Sequence, residues 1–429
     1  MLRYIIWCWK ILKQYLSNCS IHGVKYLVSQ NNLYIERFFW LFFCILSWWG
    51  CTMMIMDSIH DYIEHPVEVT TNTLYINWET PFPSIAICIK YSNELKTKYN
   101  IKQYPSSLEP SAFEKIDDFS AEELLKGYQL LQIPCKDIFA NCSWNNMKFD
   151  CCKEFKPLNK TGVGYCYAIN SRHIKPYDDS MIKFWINRTT ENGNIVIDLL
   201  ANKKSSSYIP RFVTVYILDN LQLPNIGTWS ENIVPSIRKG YSTRMEFSMI
   251  PIVNEQNVKS FSIKQRNCRF SHEIDKNSMF KFYTSDTCAI EIYIQEMIKY
   301  CGCVSFYYPV PADARTCNST ELQCLVENKK DIFLSSTIVQ QRCYPHCDGN
   351  TINVYHSKPI EFSHIGNEII RIDFMSLSRP YLQYRRYAAY TISHMIVTVG
   401  SALGLFMGAS ILSFFEIPYW LFLRRDQIA

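Results

Sequence analysis

A chain of 429 residues with 44 Lys+Arg against 39 Asp+Glu, 19% charged and 15% aromatic, is too aromatic and too sparsely charged to be disordered. Its mean hydropathy of −0.10 excludes a polytopic transporter and leaves room for one or two membrane spans. Its 18 cysteines exclude an ordinary cytosolic protein and put most of the chain in an oxidising compartment.

Residues 1–37 hold Arg3, Lys10, Lys13, Lys25 and Arg37 against Glu36 alone, whereas residues 57–386 hold 37 bases and 36 acids. The basic excess is local, and no basic face on a large domain invites nucleic acid. Residues 38–56, FFWLFFCILSWWGCTMMIM, carry no charge. As a helix they cover about 28 Å, close to the hydrocarbon thickness of a bilayer. The run starts too late, and is too long and bulky, for a signal peptide. A second apolar stretch follows at 387–423, with His394 the one possible charge before Glu416. A single helix of that length exceeds what a bilayer needs, so it must tilt, break or project. Basic residues precede the first stretch, and Arg424-Arg425 follow the second. Positive-inside bias therefore puts both termini in the cytosol. The expected plan is a cytosolic N-terminus at 1–37, a transmembrane helix at 38–59, an extracellular domain at 60–386, a second transmembrane helix at 387–423 and a short cytosolic tail at 424–429.

Between the two stretches the cysteine map agrees with an outside location. Cys8 and Cys19 precede the first stretch and Cys44 and Cys51 lie in it; the other 14 fall between 88 and 347, enough for seven disulfides. Glycosylation sequons start at Asn141, Asn159, Asn187 and Asn318 in this segment; Asn18 starts another on the cytosolic side. The segment reads as mixed α and β. Residues 110–132 predict a helix, with Ser120 and Glu123 as its capping box. Alternation predicts strands at 194–198 and 212–218, and residues 287–300 predict a further helix. No HExxH, GxSxG, P-loop or dinucleotide fingerprint is present, so the chain does not read as an enzyme. CysGlyCys at 301–303 and CysTyrProHisCys at 343–347 read as disulfide partners rather than zinc ligands, and no cofactor or metal is expected.

The second stretch is the informative one. Gly400, Gly404 and Gly408 recur every four residues and share one helical face, which by itself suits helix packing. Packing leaves Thr398, Ser401, Ser410, Ser413 and Glu416 unexplained. Polar groups at membrane depth face a bundle interior or a wet path. Two spans cannot enclose a pore, so a pore requires several copies.

The sequence Gly404-Leu-Phe-Met-Gly-Ala-Ser410, with Glu416 six residues on, resembles the pore helix of the degenerin/epithelial sodium channel family. Ile21-His-Gly-Val-Lys-Tyr26 resembles the family's cytosolic His-Gly motif, and Phe82-Pro-Ser-Ile-Ala-Ile-Cys88 its post-span motif. Gly164-Tyr-Cys-Tyr167 and the cysteine-rich stretch 268–347 complete an ordered series of five anchors, and Arg266-Asn-Cys-Arg-Phe270 points to the insect pickpocket branch. The resemblance implies an α+β membrane protein: two transmembrane helices flanking a large disulfide-rich mixed α/β extracellular domain, assembled as a homo- or heterotrimer in plasma-membrane lipid. It implies a voltage-independent, sodium-selective channel blocked by amiloride and opened by a chemical, acid or mechanical stimulus from outside.

Residue by residue, the resemblance implies that Gly408, Ala409 and Ser410 form the selectivity filter. Val397, Thr398, Gly400, Ser401 and Gly404 line the pore above it, Glu416 stands at the inner mouth, and His22-Gly23 lies in a re-entrant loop below. Val397 stands where the family usually has a small residue, and Thr398 where some members have Asp. The implied disulfides are Cys88–Cys166, Cys268–Cys347, Cys288–Cys343, Cys301–Cys324 and Cys303–Cys317. A sixth family bridge is replaced by Ile292 and Gln341, and pairing among Cys135, Cys142, Cys151 and Cys152 stays open. The rival readings are a purinergic-type two-span trimeric receptor and a non-conducting auxiliary or receptor subunit.

Overall fold

The computed structural model describes residues 12–29, 33–73, 79–89, 119–130, 132–159, 161–174, 184–186, 193–200, 213–225, 241–333, 336–356, 360–361, 369–377 and 382–420. The sequon at Asn187, the tail 424–429 and the predicted helical residues 110–118 lie outside them. The chain divides into two compact units. One gathers Met1–Glu68, Glu255–Arg266 and Tyr387–Ala429; the other holds Val69–Asn254 and Asn267–Arg386.

The first unit is helical. Its longest helix, Tyr34–Glu64, has 31 residues. Among the described residues it is the one helix long and apolar enough by itself to cross a membrane. It runs past both ends of the charge-free segment, because nothing in Glu36-Arg37 or in Asp57–Glu64 breaks a helix. Phe38, Phe42, Ile45, Trp49, Met53 and Met56 are exposed. The residues it buries, Cys44, Cys51 and Ser58, are small and spaced every seven positions, which lets another helix approach closely. That neighbour is Ile392–Met407. A shorter helix, Ile411–Pro418, follows it, and the two are bent by 74° at Gly408-Ala409-Ser410; only together do they reach spanning length.

The second helical stretch does not begin at residue 387 as expected. Tyr387 and Ala388 finish the strand Gln383–Ala388. The N–H groups of Ala389 and Tyr390 both donate to the Pro66 carbonyl, at 2.9 and 3.2 Å. Thr391, with extended backbone and a side chain that accepts from the His394 N–H, then caps the helix.

Among the described residues the second unit is built on two large sheets and a short two-stranded one, Thr80–Pro81 with Trp185–Ile186. A nine-stranded sheet runs in the order Val67–Asn72, Gln383–Ala388, Tyr241–Asn254, Ile369–Ser376, Asn194–Leu200, Phe139–Trp144 and Met147–Phe149, with Asn350–His356 and Ile360–Glu361 also paired to Tyr241–Asn254. Inside it, Arg371 stands opposite Asp198 and donates to both carboxylate oxygens, at 2.7 and 2.9 Å. The four-stranded sheet runs Val213–Leu218, Ser84–Ile89, Tyr165–Ile169 and Lys156–Leu158. Tyr165–Ile169 is buried at every position, and so are Ile85 to Cys88 and Val215 to Leu218. The alternation at 212–218 thus marks a strand covered on both faces rather than one with a wet side. The predicted helix at 287–300 is Ser285–Cys301, capped by Thr284 and closed by Gly302 in the left-handed region. Its β-branched residues are tolerated because packing outweighs propensity: Thr287, Ile290, Ile292 and Ile294 are all buried. Ser120 caps Ala121–Leu130, with Glu123 accepting from its N–H at 2.9 Å.

Seven disulfides lie in this unit: Cys88–Cys166, Cys135–Cys152, Cys142–Cys151, Cys268–Cys347, Cys288–Cys343, Cys301–Cys324 and Cys303–Cys317. Among the described residues the free cysteines are Cys19, Cys44 and Cys51, all in the helical unit.

Two half-buried histidines are expected to make the second unit sensitive to acid. His173 meets the Leu221 carbonyl at 2.6 Å, and burial holds its pKa below the ordinary value despite that bond. His346 has a buried Nδ1 without a hydrogen-bond partner. Burial lowers its pKa too, aided by Arg386 and opposed by Asp219 and Asp348. Both imidazoles bind a proton more readily in the unfolded chain. Stability therefore falls as pH drops below about 6.5 and goes on falling through the depressed native values. Thermal unfolding of the purified protein between about pH 7.5 and about pH 5.5 should show this loss, and His173→Gln with His346→Gln should flatten it.

Candidate functional site

The 74° break is a local consequence of three residues. Gly408 has φ 63° and ψ 17°, a left-handed conformation that ends the helix Ile392–Met407. Its N–H donates to the Gly404 carbonyl at 3.0 Å, and the Ala409 N–H to the Leu403 carbonyl at 3.2 Å. Ser410 is extended and opens Ile411–Pro418; its N–H donates to the Ser413 hydroxyl at 3.0 Å. The break therefore takes the Ser410 N–H away from the Phe406 carbonyl, its partner in a continuous helix.

The loop at Ser20–Gly23 closes on the same break. The His22 N–H donates to the Met407 carbonyl at 2.9 Å. The His22 ring lies against Gly408, where an added Cβ would stand well under 3.0 Å from the ring. Gly23, at φ 83°, turns the chain beside Cys44, and a Cβ there would lie 2.6 Å from the Cys44 sulfur. Ser20 donates twice: its N–H to Glu416 at 3.2 Å and its hydroxyl to Ser413 at 2.7 Å. The Phe406 carbonyl accepts from the hydroxyl of Ser47 on Tyr34–Glu64. After these bonds, among the described residues, no N–H or hydroxyl donates to the carbonyls of Gly408 and Ala409.

The other predicted pore residues stand on Ile392–Met407 with few contacts. Val397 is 65% exposed. Thr398 returns its hydroxyl to the His394 carbonyl of its own helix, at 2.9 Å. An added Cβ at Gly400 would meet nothing within 4 Å, and one at Gly404 only the Ala409 carbonyl, at 4.0 Å. Ser401 is exposed and Glu416 half-buried. The structure thus brings His22, Gly23, Glu416 and Gly408–Ser410 together, and leaves Val397, Gly400 and Ser401 on an open face. Sequence reasoning passed over Ser20 and Ser47. Their only signal was a hydroxyl beside or inside a charge-free run.

A model of the amiloride-sensitive sodium channel family matches residues 15–420. The chain belongs to this family. It is a degenerin/epithelial sodium channel subunit of the insect pickpocket-like kind. It is 23% identical to Sodium channel protein Nach of Drosophila ananassae, over 96% of this chain and 87% of that one. It is 22% identical to Pickpocket protein 11 of Drosophila melanogaster, over 95% and 74%, and 21% identical to Acid-sensing ion channel 1C of Danio rerio, over 97% and 84%. The pickpocket-like chain is therefore a cation channel subunit and not an enzyme. The match sets aside the purinergic reading.

Proposed function

We propose that three copies of this pickpocket-like subunit, or a mixture with related subunits, form a sodium-selective, voltage-independent, amiloride-blocked channel of the plasma membrane. Residues 1–37 and 424–429 lie in the cytosol, and 60–386 face outside with glycans at Asn141, Asn159, Asn187 and Asn318. The chain crosses at 38–59 and again within 387–423. Gly408, Ala409 and Ser410 form the filter. Val397, Thr398, Gly400, Ser401 and Gly404 face the pore outside it, Glu416 stands at its inner mouth, and His22-Gly23 props it from below.

The observation that carries this reading is the distribution of donors around the break. Met407, Gly404 and Leu403 each have a protein donor for their carbonyls, while Gly408 and Ala409 have none among the described residues. Backbone of this kind is tolerated at membrane depth where it lines a wet cavity, and rings of carbonyls can replace part of a cation's hydration shell. The absence of side-chain bulk at 408 and 409 lets three such backbones approach one axis. An extracellular stimulus, whether chemical, acid or mechanical, opens the pore.

The test is voltage clamp of cells expressing the full chain alone and with pickpocket-type partners. Sodium current that amiloride blocks and potassium replacement abolishes is the expected result. Surface protein that gives no current in any combination would favour a non-conducting auxiliary subunit.

A further inference from the structure

Hydroxyls on membrane helices usually satisfy themselves on the carbonyl one turn back. Thr52 does so on Trp48, at 2.8 Å, and Thr398 on His394, at 2.9 Å. Ser47 does not. Its hydroxyl crosses from the helix Tyr34–Glu64 to the carbonyl of Phe406 on the neighbouring helix. That carbonyl needs an outside donor because the break at Gly408 sends the Ser410 N–H to Ser413 instead. Ser47 lies between Cys44 and Cys51 on the buried small-residue face. One turn further along, Gly50 leaves room for the Phe406 ring, which an added Cβ would meet at 3.0 Å. Phe406 is thus held at two points, its carbonyl by Ser47 and its ring against Gly50. It is separated from Gly408 only by Met407, whose own carbonyl is held by His22.

We infer that Ser47 is a positioning residue for ion selectivity: by fixing the Phe406 carbonyl it sets the direction in which the chain enters Gly408-Ala409-Ser410. This rests on the filter reading above. Ser47 touches no ion. It acts through the last helical turn, holding the Phe406 carbonyl away from the path and the following backbone in a single geometry. Losing the hydroxyl leaves that carbonyl without a partner in a water-poor setting, so the turn must twist to find one.

The test is the sodium-to-potassium permeability ratio, from reversal potentials of the conducting full-length channel at matched surface expression. Ser47→Ala should lower the ratio by roughly three- to tenfold, the equilibrium weight of one hydrogen bond. Ser47→Thr, which keeps a donor, should retain most of it. A purely structural role would instead lower the amount at the surface and leave the ratio alone. If Ser47→Ala stays inside the cell, Ser47→Cys, of similar shape with a weaker donor, should shift the ratio the same way by less. A wild-type ratio in the alanine or cysteine variant, or equal loss in the alanine and threonine variants, would overturn the inference. Filter variants at Gly408 and Ser410 serve as the reference. If they alter permeation and Ser47→Ala does not, only the role of Ser47 fails; if none of them does, the filter reading itself has failed.

Discussion

Gly408→Val should abolish the current while the protein still reaches the cell surface. Two independent costs meet at this position. Valine at φ 63° sits in the left-handed region, which costs a residue with a Cβ roughly 1–2 kcal/mol and a β-branched one more. Its Cβ would also collide with the His22 ring. The helix end must then unbend or push the loop at His22-Gly23 away, and either movement displaces the carbonyls of Gly408 and Ala409 in every copy of the proposed trimer. Gly408→Ala carries the same collision with less strain. Combined with His22→Ala it should recover part of the current, because the second change removes the ring but not the unfavourable φ. The recovery, read as a double-mutant cycle at equal surface density, separates the two costs. Normal selective current through Gly408→Val would show that the ion does not pass this residue.

Cys88→Ser with Cys166→Ser should be the most damaging change in the disulfide-rich domain. The two cysteines face each other across adjacent antiparallel strands, with Cα atoms 4.0 Å apart, and both are buried at the centre of the four-stranded sheet. Their bridge closes a sequence separation of 78 residues, against 9 for Cys142–Cys151. Loop-closure entropy alone makes the longer bridge worth about 2 kcal/mol more, within the usual range of about 2–5 kcal/mol for a native disulfide. The change also leaves two serine hydroxyls in an apolar core. The expected outcome is retention inside the cell and a clearly lowered unfolding temperature. Removal of Cys142–Cys151 should cost less on both measures.

What the sequence discloses here depends on the range of the interaction. The long apolar helix is legible because the apolar run at 38–56 needs no knowledge of its neighbours. Its true ends are not, since hydropathy reports contact with lipid and a helix continues wherever nothing breaks it. The start of the second stretch is misread at 387 for a related reason. Tyr387 and Ala388 are uncharged, and hydropathy cannot tell the end of a strand from the start of a helix. The glycines at 400, 404 and 408 look equivalent by spacing, yet among them only Gly408 has positive φ. Local chemistry marks it only in part: Ser410 and Ser413 open a new helix, while Thr398 and Ser401, at the same spacing, do not, the Thr398 hydroxyl returning to the His394 carbonyl. The pairing of Cys135 with Cys152 and of Cys142 with Cys151 cannot be drawn from spacing, which fixes a count and not a partner. The helix Cys151–Glu154 settles it by turning two adjacent cysteines in different directions. Ser20 and Ser47 are the least visible. Each matters through a bond to a residue more than 350 positions away, and no local pattern carries that information.

The assignment of Gly408–Ser410 as the narrowest passage of the ion is decided by cadmium block of Ser410→Cys. In the proposed trimer, three thiols brought to one axis would offer the soft ligands that cadmium prefers. Cadmium added outside should stop most of the current through Ser410→Cys, a chelator should restore it, and wild-type current should be unaffected, since among the described residues the free thiols, at Cys19, Cys44 and Cys51, are buried. A Ser410→Cys channel that conducts at normal surface density and ignores cadmium would contradict the assignment.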